Sequence, residues 1–199
     1  MRGAILAGGH ATRYGGKPKG LERVGGERIL DRLVEAMTRL TGIAPLLIAN
    51  HPDAGTWRGG LTVVRDVRPD CGTLGGILTA VAAAEGPVVL AAWDMPFVTE
   101  GLLEALMEGS ANYDVFLPAS EGRRGMEPLC GVYQASCKEP IERALDAEDY
   151  RAIAFHEHVR VGILPIEAVR ACGDPATLFF NINSAGDLAE AETRWQTLA

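Results

Sequence analysis

The chain has 199 residues, 47% of them hydrophobic and 23% charged, with a formal net charge of −7. A length and composition of this kind build a core without disulfide or metal staples. The negative charge argues against a nucleic-acid partner, and apolar runs such as Pro87–Trp93 fall far short of the roughly 20 residues a membrane helix takes. Arg2 leads at once into a strand-like run ending in glycines, so no signal peptide is read and a cytoplasmic location is expected.

In chain order, strand-like and helix-like segments alternate. Arg2–Ala7 is a short apolar run, followed by the glycine-rich stretch LAGGHATRYGGKPKG. Ile29, Leu30, Leu33, Val34, Met37 and Leu40 recur at helical spacing, which predicts a helix over Ile29–Leu40. Strands are predicted at Pro45–Ala49 and Leu61–Arg65, and a small-residue helix at Leu74–Ala84. Val88–Trp93 is continuously apolar, as expected of a strand covered on both faces. A helix over Glu100–Met107 with Thr99 as its N-cap follows, then a strand at Val115–Pro118. Beyond it come a strand at Leu129–Tyr133, a helix at Lys138–Ala147, a strand at Arg160–Leu164 and a closing helix, Ser184–Leu198, capped by Ser184. The alternation implies crossover connections and an α/β fold with a mostly parallel, doubly wound sheet. One domain spanning 1–199 is expected, with residues from about 119 to 180 decorating one edge.

Cys71, Cys130, Cys137 and Cys172 form no CxxC pair and read as buried or incidental thiols. On a strand, His156-Glu157-His158 would set two imidazoles on one side. No third metal ligand accompanies them, and a solvated edge is the expectation.

The glycine-rich stretch fails both familiar phosphate loops. A P-loop would need glycine at Ala11 and Ser or Thr at Pro18, and the dinucleotide fingerprint does not tolerate the spacing from Gly9 to Gly15. What remains is a long strand-to-helix loop with cations inside it. Gly8 and Gly9 admit a ligand to backbone N–H groups, Arg13 offers a planar fork for phosphate oxygens, and Lys19 is a mobile point charge. Residues 1–40 hold eight basic side chains against four acidic ones, which fits a small anionic ligand on an otherwise acidic chain. Asp94 ends the most apolar strand in LAAWDMPFV. A carboxylate there is costly unless paired or bound to a cation, and Mg²⁺ shared with ligand phosphates suits it. Both features belong on the carboxyl rim of a parallel sheet, where ligands bind.

Taken together, Leu6-Ala7-Gly8-Gly9, Arg13, Gly15, Lys19, Leu21, Gly25, Leu30, Asp66, Leu74-Gly75-Gly76, Asp94-Met95-Pro96-Phe97, Pro128-Leu129, Tyr133 and Asn181-Ile182-Asn183-Ser184 resemble the molybdenum cofactor guanylyltransferases. These belong to the nucleotidyltransferases with a three-layer Rossmann-like fold, and the resemblance covers nearly the whole chain. It implies transfer of GMP from GTP to the terminal phosphate of molybdopterin, with release of pyrophosphate and Mg²⁺ as cofactor. It further implies Leu6, Ala7 and Gly8, with Gly9, around guanine and ribose; Lys19 on the phosphates; Asn50 and Asp66 as nucleotide-recognition residues; and Asp94 as metal ligand. Arg13, Lys19 and Asp94 would carry the catalysis. Gly75, Gly76, Asn181 and Asn183 would serve the acceptor side, and proteins of cofactor biosynthesis or molybdoenzyme maturation would be the partners. Leu6-Ala7-Gly8-Gly9 matches the guanine users, whereas cytidylyl-transferring relatives typically read Leu-Ala-Ala-Gly. One departure stands out: Pro18 occupies the place of an Asp that commonly precedes the family's lysine.

Three other readings are compatible with the residues. Another nucleotidyltransferase of the same fold could act on a cytidylyl donor or a sugar or polyol phosphate. A non-catalytic nucleotide-binding protein is the second, against which the retained Arg13, Lys19 and Asp94 argue. An interaction protein whose glycines are mere turns is the third. Arg123 and Arg124 in ASEGRRGMEP read equally as a loop over the acceptor phosphate or as a solvated turn.

Overall fold

The computed structural model describes residues 1–8 and 18–198. Gly9 and Arg13, both given roles above, lie outside the described residues. The chain's apolar runs assemble into a seven-stranded sheet. Four parallel strands come first: β1 (Arg2–Leu6), β4 (Leu46–Ile48), β5 (Thr62–Val64) and β6 (Val88–Ala92). β7 (Val115–Pro118), β8 (Cys130–Tyr133) and β9 (Val161–Leu164) complete the order β5-β4-β1-β6-β8-β7-β9. β1 and β6 pair along their full length, and Ala4, Ile5 and Val88 to Ala91 are fully buried. That burial explains why these segments are uniformly apolar rather than alternating.

Helices cover the sheet in two layers. α1 (Ile29–Thr41), α4 (Glu100–Gly109) and α6 (Ile166–Cys172) pack against one another in one layer. α3 (Gly72–Ala83) and α5 (Lys138–Asp146) form the other, with α3 against β1, β4 and β6. α1 turns Ile29, Leu30, Leu33, Val34 and Met37 inward and stops at Gly42, whose left-handed backbone lets its N–H reach Thr38 O. α3 has no polar stripe to expose: Leu74 through Val81 are all buried, wedged between sheet and α5. The short helices α2 (Ala54–Trp57) and α7 (Pro175–Leu178) complete the connections, and α8 (Ala185–Leu198) closes the chain. Thr99 caps α4 through Leu102 N–H, and Ser184 caps α8 through Asp187 N–H.

Two segments differ from expectation. Residues 119–180 do not stay at an edge, because β8 inserts between β6 and β7 and runs antiparallel to both. Alternating or apolar patterning marks a strand but says nothing of its neighbours, which distant pairing alone decides. His156–His158 form a 3-10 turn instead of a strand, with the Nε2 of His156 buried and without a partner among the described residues.

The connectivity sets the position of the site. From β1 the chain steps outward to β4 and β5, then returns to lay β6 against the other side of β1. Such a reversal opens a crevice at the carboxyl ends of the two strands.

Candidate active site

A cleft of about 410 Å³ occupies that crevice. Its floor is the rim of the sheet: Leu6 and Gly8 after β1, Ile48 and Asn50 after β4, Asp66 after β5, and Ala92 to Asp94 after β6. Gly72 and Thr73 at the start of α3, Gly76, Asp70, Leu129, Lys19 and Asn183 complete the wall. The first turn of α3 carries no acidic residue, so the free N–H groups of its N-terminus lend the wall positive character.

Lys19 is delivered by a single 3-10 turn, Lys19–Leu21, held between β1 and a two-residue-stranded hairpin. That turn is seated by Gly20. A Cβ there would lie 2.2 Å from the Trp93 ring, so only glycine permits the contact. The hairpin, β2 (Arg23–Val24) and β3 (Glu27–Arg28), turns on Gly25 and Gly26 at positive φ, the geometry a two-residue turn requires. Gly25 N–H donates to Glu192 of α8, which ties the hairpin to the end of the chain. Trp93 in turn stacks on Trp57 at 4.9 Å.

At one end of the cleft three residues from distant parts of the chain meet. Lys19 Nζ donates to Asn183 Oδ1 at 2.8 Å and lies 3.9 Å from Asp94 Oδ2. Asn183 is fixed because Ile182 N–H donates to Asp94 O at 2.9 Å and Asn183 N–H donates to Asp187 Oδ2 at 2.7 Å. Burial pushes the Asp94 carboxyl above the usual range, and the Lys19 charge only partly offsets it. Among the described residues its Oδ1 is buried without a hydrogen-bond donor. Nearby, burial also raises Glu127, with the negative charge of Asp94 adding to the shift and Leu129 N–H, at 2.9 Å from Glu127 Oε1, opposing it.

At the other end the polar groups pair with one another. Asn50 Nδ2 donates to Asp66 Oδ2 at 2.7 Å, and Asp66 N–H donates to Asn50 Oδ1 at 2.9 Å. Thr79 of α3 approaches Asp66 Oδ1 at 3.4 Å and accepts from Val67 N–H at 3.0 Å.

The expected site residues therefore separate into two groups. Leu6, Gly8, Lys19, Asn50, Asp66, Gly76, Asp94 and Asn183 share the cleft. Ala7, Gly75 and Asn181 are not on its wall. Ala7 N–H is spent on Ile48 O, Asn181 Nδ2 on Phe179 O, and Gly75 packs where a Cβ would meet Cys71 at 2.9 Å. Sequence reasoning put Trp93 at the rim and counted Leu129 in the resemblance but gave neither a site role, and it missed the Asp70–Thr73 turn and the Thr79 contact. The turn carried a readable signal: Cys71-Gly72-Thr73 opens a small-residue helix after a strand. Thr79 gave none, being one hydroxyl inside an apolar helix.

Residues 3–161 match the MobA-like NTP transferase domain family. A probable molybdenum cofactor guanylyltransferase of Pelotomaculum thermopropionicum is 36% identical over 192 residues, covering 95% of this chain and 90% of that one. The molybdenum cofactor guanylyltransferase of Desulfosudis oleivorans is 32% identical, with 96% and 94% covered. In structure, the molybdopterin-guanine dinucleotide biosynthesis protein A of Archaeoglobus fulgidus superposes with a TM-score of 0.81 at 27% identity, covering 99% of this chain and 100% of that one. Sequence and fold agree over the whole length, and the chain belongs to the MobA-like NTP transferases, with the molybdenum cofactor guanylyltransferases.

Proposed function

We propose that this enzyme transfers GMP from GTP to the terminal phosphate of molybdopterin, releasing pyrophosphate. The observation that carries the reading is the meeting of Lys19, Asp94 and Asn183 at one end of a cleft whose other end presents the Asp66 carboxylate. One end suits phosphates and the other suits a base bearing two adjacent N–H donors, and guanine offers such a pair.

In the reaction an oxygen of the acceptor phosphate forms a bond to the α-phosphorus of GTP. The bond from that phosphorus to the bridging oxygen breaks, and pyrophosphate departs with the electron pair. The nucleophile is already an anion, so no general base is needed. The task is to align two polyanions and offset their charge. Lys19, held by Asn183, is the cation for phosphate oxygens, and Arg13 is proposed as a second. Gly8 leaves room for backbone approach, and α3 turns its N-terminal N–H groups to the same space.

The residues fit a divalent cation. Asp94 Oδ1 is a buried carboxylate oxygen with no donor among the described residues, and oxygen is the donor type Mg²⁺ takes. Among the described residues no group of three or more His, Cys, Asp or Glu is arranged around a common point, so the remaining ligands would come from substrate phosphates and water. Bound there, Mg²⁺ supplies charge neutralisation on those phosphates. Gly76 and Asn183 lie on the wall available to the acceptor.

Pyrophosphate release is the test. With molybdopterin as acceptor, GTP supports turnover, and CTP, ATP and UTP do not. Turnover with CTP in place of GTP overturns the guanylyl assignment. Among the described residues no helix is long and apolar enough to cross a membrane. From the family membership we infer work in the cytoplasm alongside other proteins of cofactor biosynthesis.

A further inference from the structure

We propose that Asn50 and Thr79 are positioning residues that hold the Asp66 carboxylate in the orientation needed to read guanine. This rests on the reading of Asp66 as the base-recognition residue.

Asp66 needs holding. It follows β5, a three-residue strand at the edge of the sheet whose one partner is β4, and it is half-exposed. A carboxylate at the end of so short an edge strand has little to fix its rotamer or its backbone. Asn50 stands at the matching position after β4 and grips Asp66 twice, by side chain and by backbone. The amide meets one donor, the Asp66 N–H, and one acceptor, Asp66 Oδ2. Only one orientation of the Asn50 side chain satisfies both, so oxygen and nitrogen are unambiguous. Each polar atom of Asn50 is engaged once by Asp66, which fixes the two side chains relative to each other.

Thr79 works from the opposite side. It is fully buried in α3, where its hydroxyl donates to Gly75 O at 2.8 Å and accepts from Val67 N–H. The peptide following Asp66 is thereby tied to a helix packed in the core. Asp66 retains free lone pairs on both oxygens, since Asn50 takes one on Oδ2 and Thr79 only approaches Oδ1. Two parallel N–H donors, such as guanine N1–H and its exocyclic amine, match a carboxylate held in this way. Polar recognition of this kind discriminates strongly only when the group is fixed, because a mobile acceptor follows the poorer ligand.

The test compares GTP with inosine triphosphate, which keeps N1–H but lacks the exocyclic amine. The readout is the ratio of their dissociation constants on the same preparation, so it does not depend on the fraction of protein folded. The wild type is expected to favour GTP by about tenfold or more, and Asp66→Ala to bring the ratio near one. Asn50→Ala and Thr79→Val are expected to lower the ratio several-fold, whereas Thr79→Ser, which keeps the hydroxyl, retains it. If Asp66→Ala collapses the ratio while Asn50→Ala and Thr79→Val preserve it, the holder is overturned and the base reader stands. If Asn50→Ala weakens both nucleotides equally, Asn50 binds a shared part of them and the proposal fails. An unchanged ratio in Asp66→Ala removes the base reader itself, and the holder with it.

Discussion

The two ends of the cleft are built to opposite standards. Around Asp66 the carboxylate and adjacent backbone have partners, from Asn50 at 2.7 and 2.9 Å and from a buried Thr79. Around Asp94 the partners among the described residues fall short: Lys19 stands at 3.9 Å and no described group donates to Oδ1. On the proposed reading, the difference follows what each end binds. A base edge is a rigid neutral pattern and is best met by a fixed group. Phosphates and a cation bring their own charge, so a protein that satisfied Asp94 internally would compete with them.

Breaking the Asp94 end should therefore abolish turnover without loss of stability. Asp94→Ala is expected to lower kcat by about 10²–10³-fold, the scale of losing a main electrostatic element of a transition state. Its melting temperature should hold or rise, because a buried carboxylate whose desolvation Lys19 only partly offsets is removed. A preparation that melts markedly lower would show that Asp94 is paired in solution. Lys19→Ala should reduce turnover by about 10²-fold, measured as pyrophosphate release. Asn183→Ala should cost less, about tenfold, since it removes the acceptor that steers Lys19 and not the charge. The other end should respond in the reverse sense. Asn50→Ala is expected to lower stability by about 1 kcal/mol in denaturant titration while leaving kcat with saturating GTP less affected than in Asp94→Ala.

Away from the cleft, two of the groups with shifted titrations contribute at separate stages of acidification. Burial pushes the His156 imidazole down from 6.5 to about 4. The unfolded chain takes up that proton first, so the contribution is complete above about pH 6.5 and is lost as pH falls from there towards 4. Replacing His156 with Leu should flatten that part of a melting-temperature profile, by about 1 kcal/mol given its partial exposure. Asp114 is held at about 2 by hydrogen bonds from the Arg160 side chain and backbone and from Ser136. Its stabilisation is full above about 3.8, the unperturbed value, and disappears as pH drops towards 2. Asp114→Asn should remove only this last segment of the profile, and the effect is the smallest of the series.

Much of the fold was legible because its signals are local. Uniform apolar runs of about five residues and one strongly amphipathic stretch marked β1, β6, β7 and α1 closely, and Thr99 and Ser184 were capping residues as read. Asp94 and Lys19 could be singled out for the same reason. A carboxylate ending a buried strand and a lysine in a glycine-rich loop are chemically out of place unless something is bound. Other features were illegible because they are relations between residues. That Asn50 spends its amide on Asp66, that Asn181 turns away while Asn183 meets Lys19, and that β8 enters the sheet interior antiparallel all depend on which distant segments come together. Composition, period and cap chemistry fixed the class of fold, and the residue types named the chemistry. Which of those residues face the same space was decided only by tertiary packing, because strand order and side-chain partners are set by contacts between segments far apart in the chain.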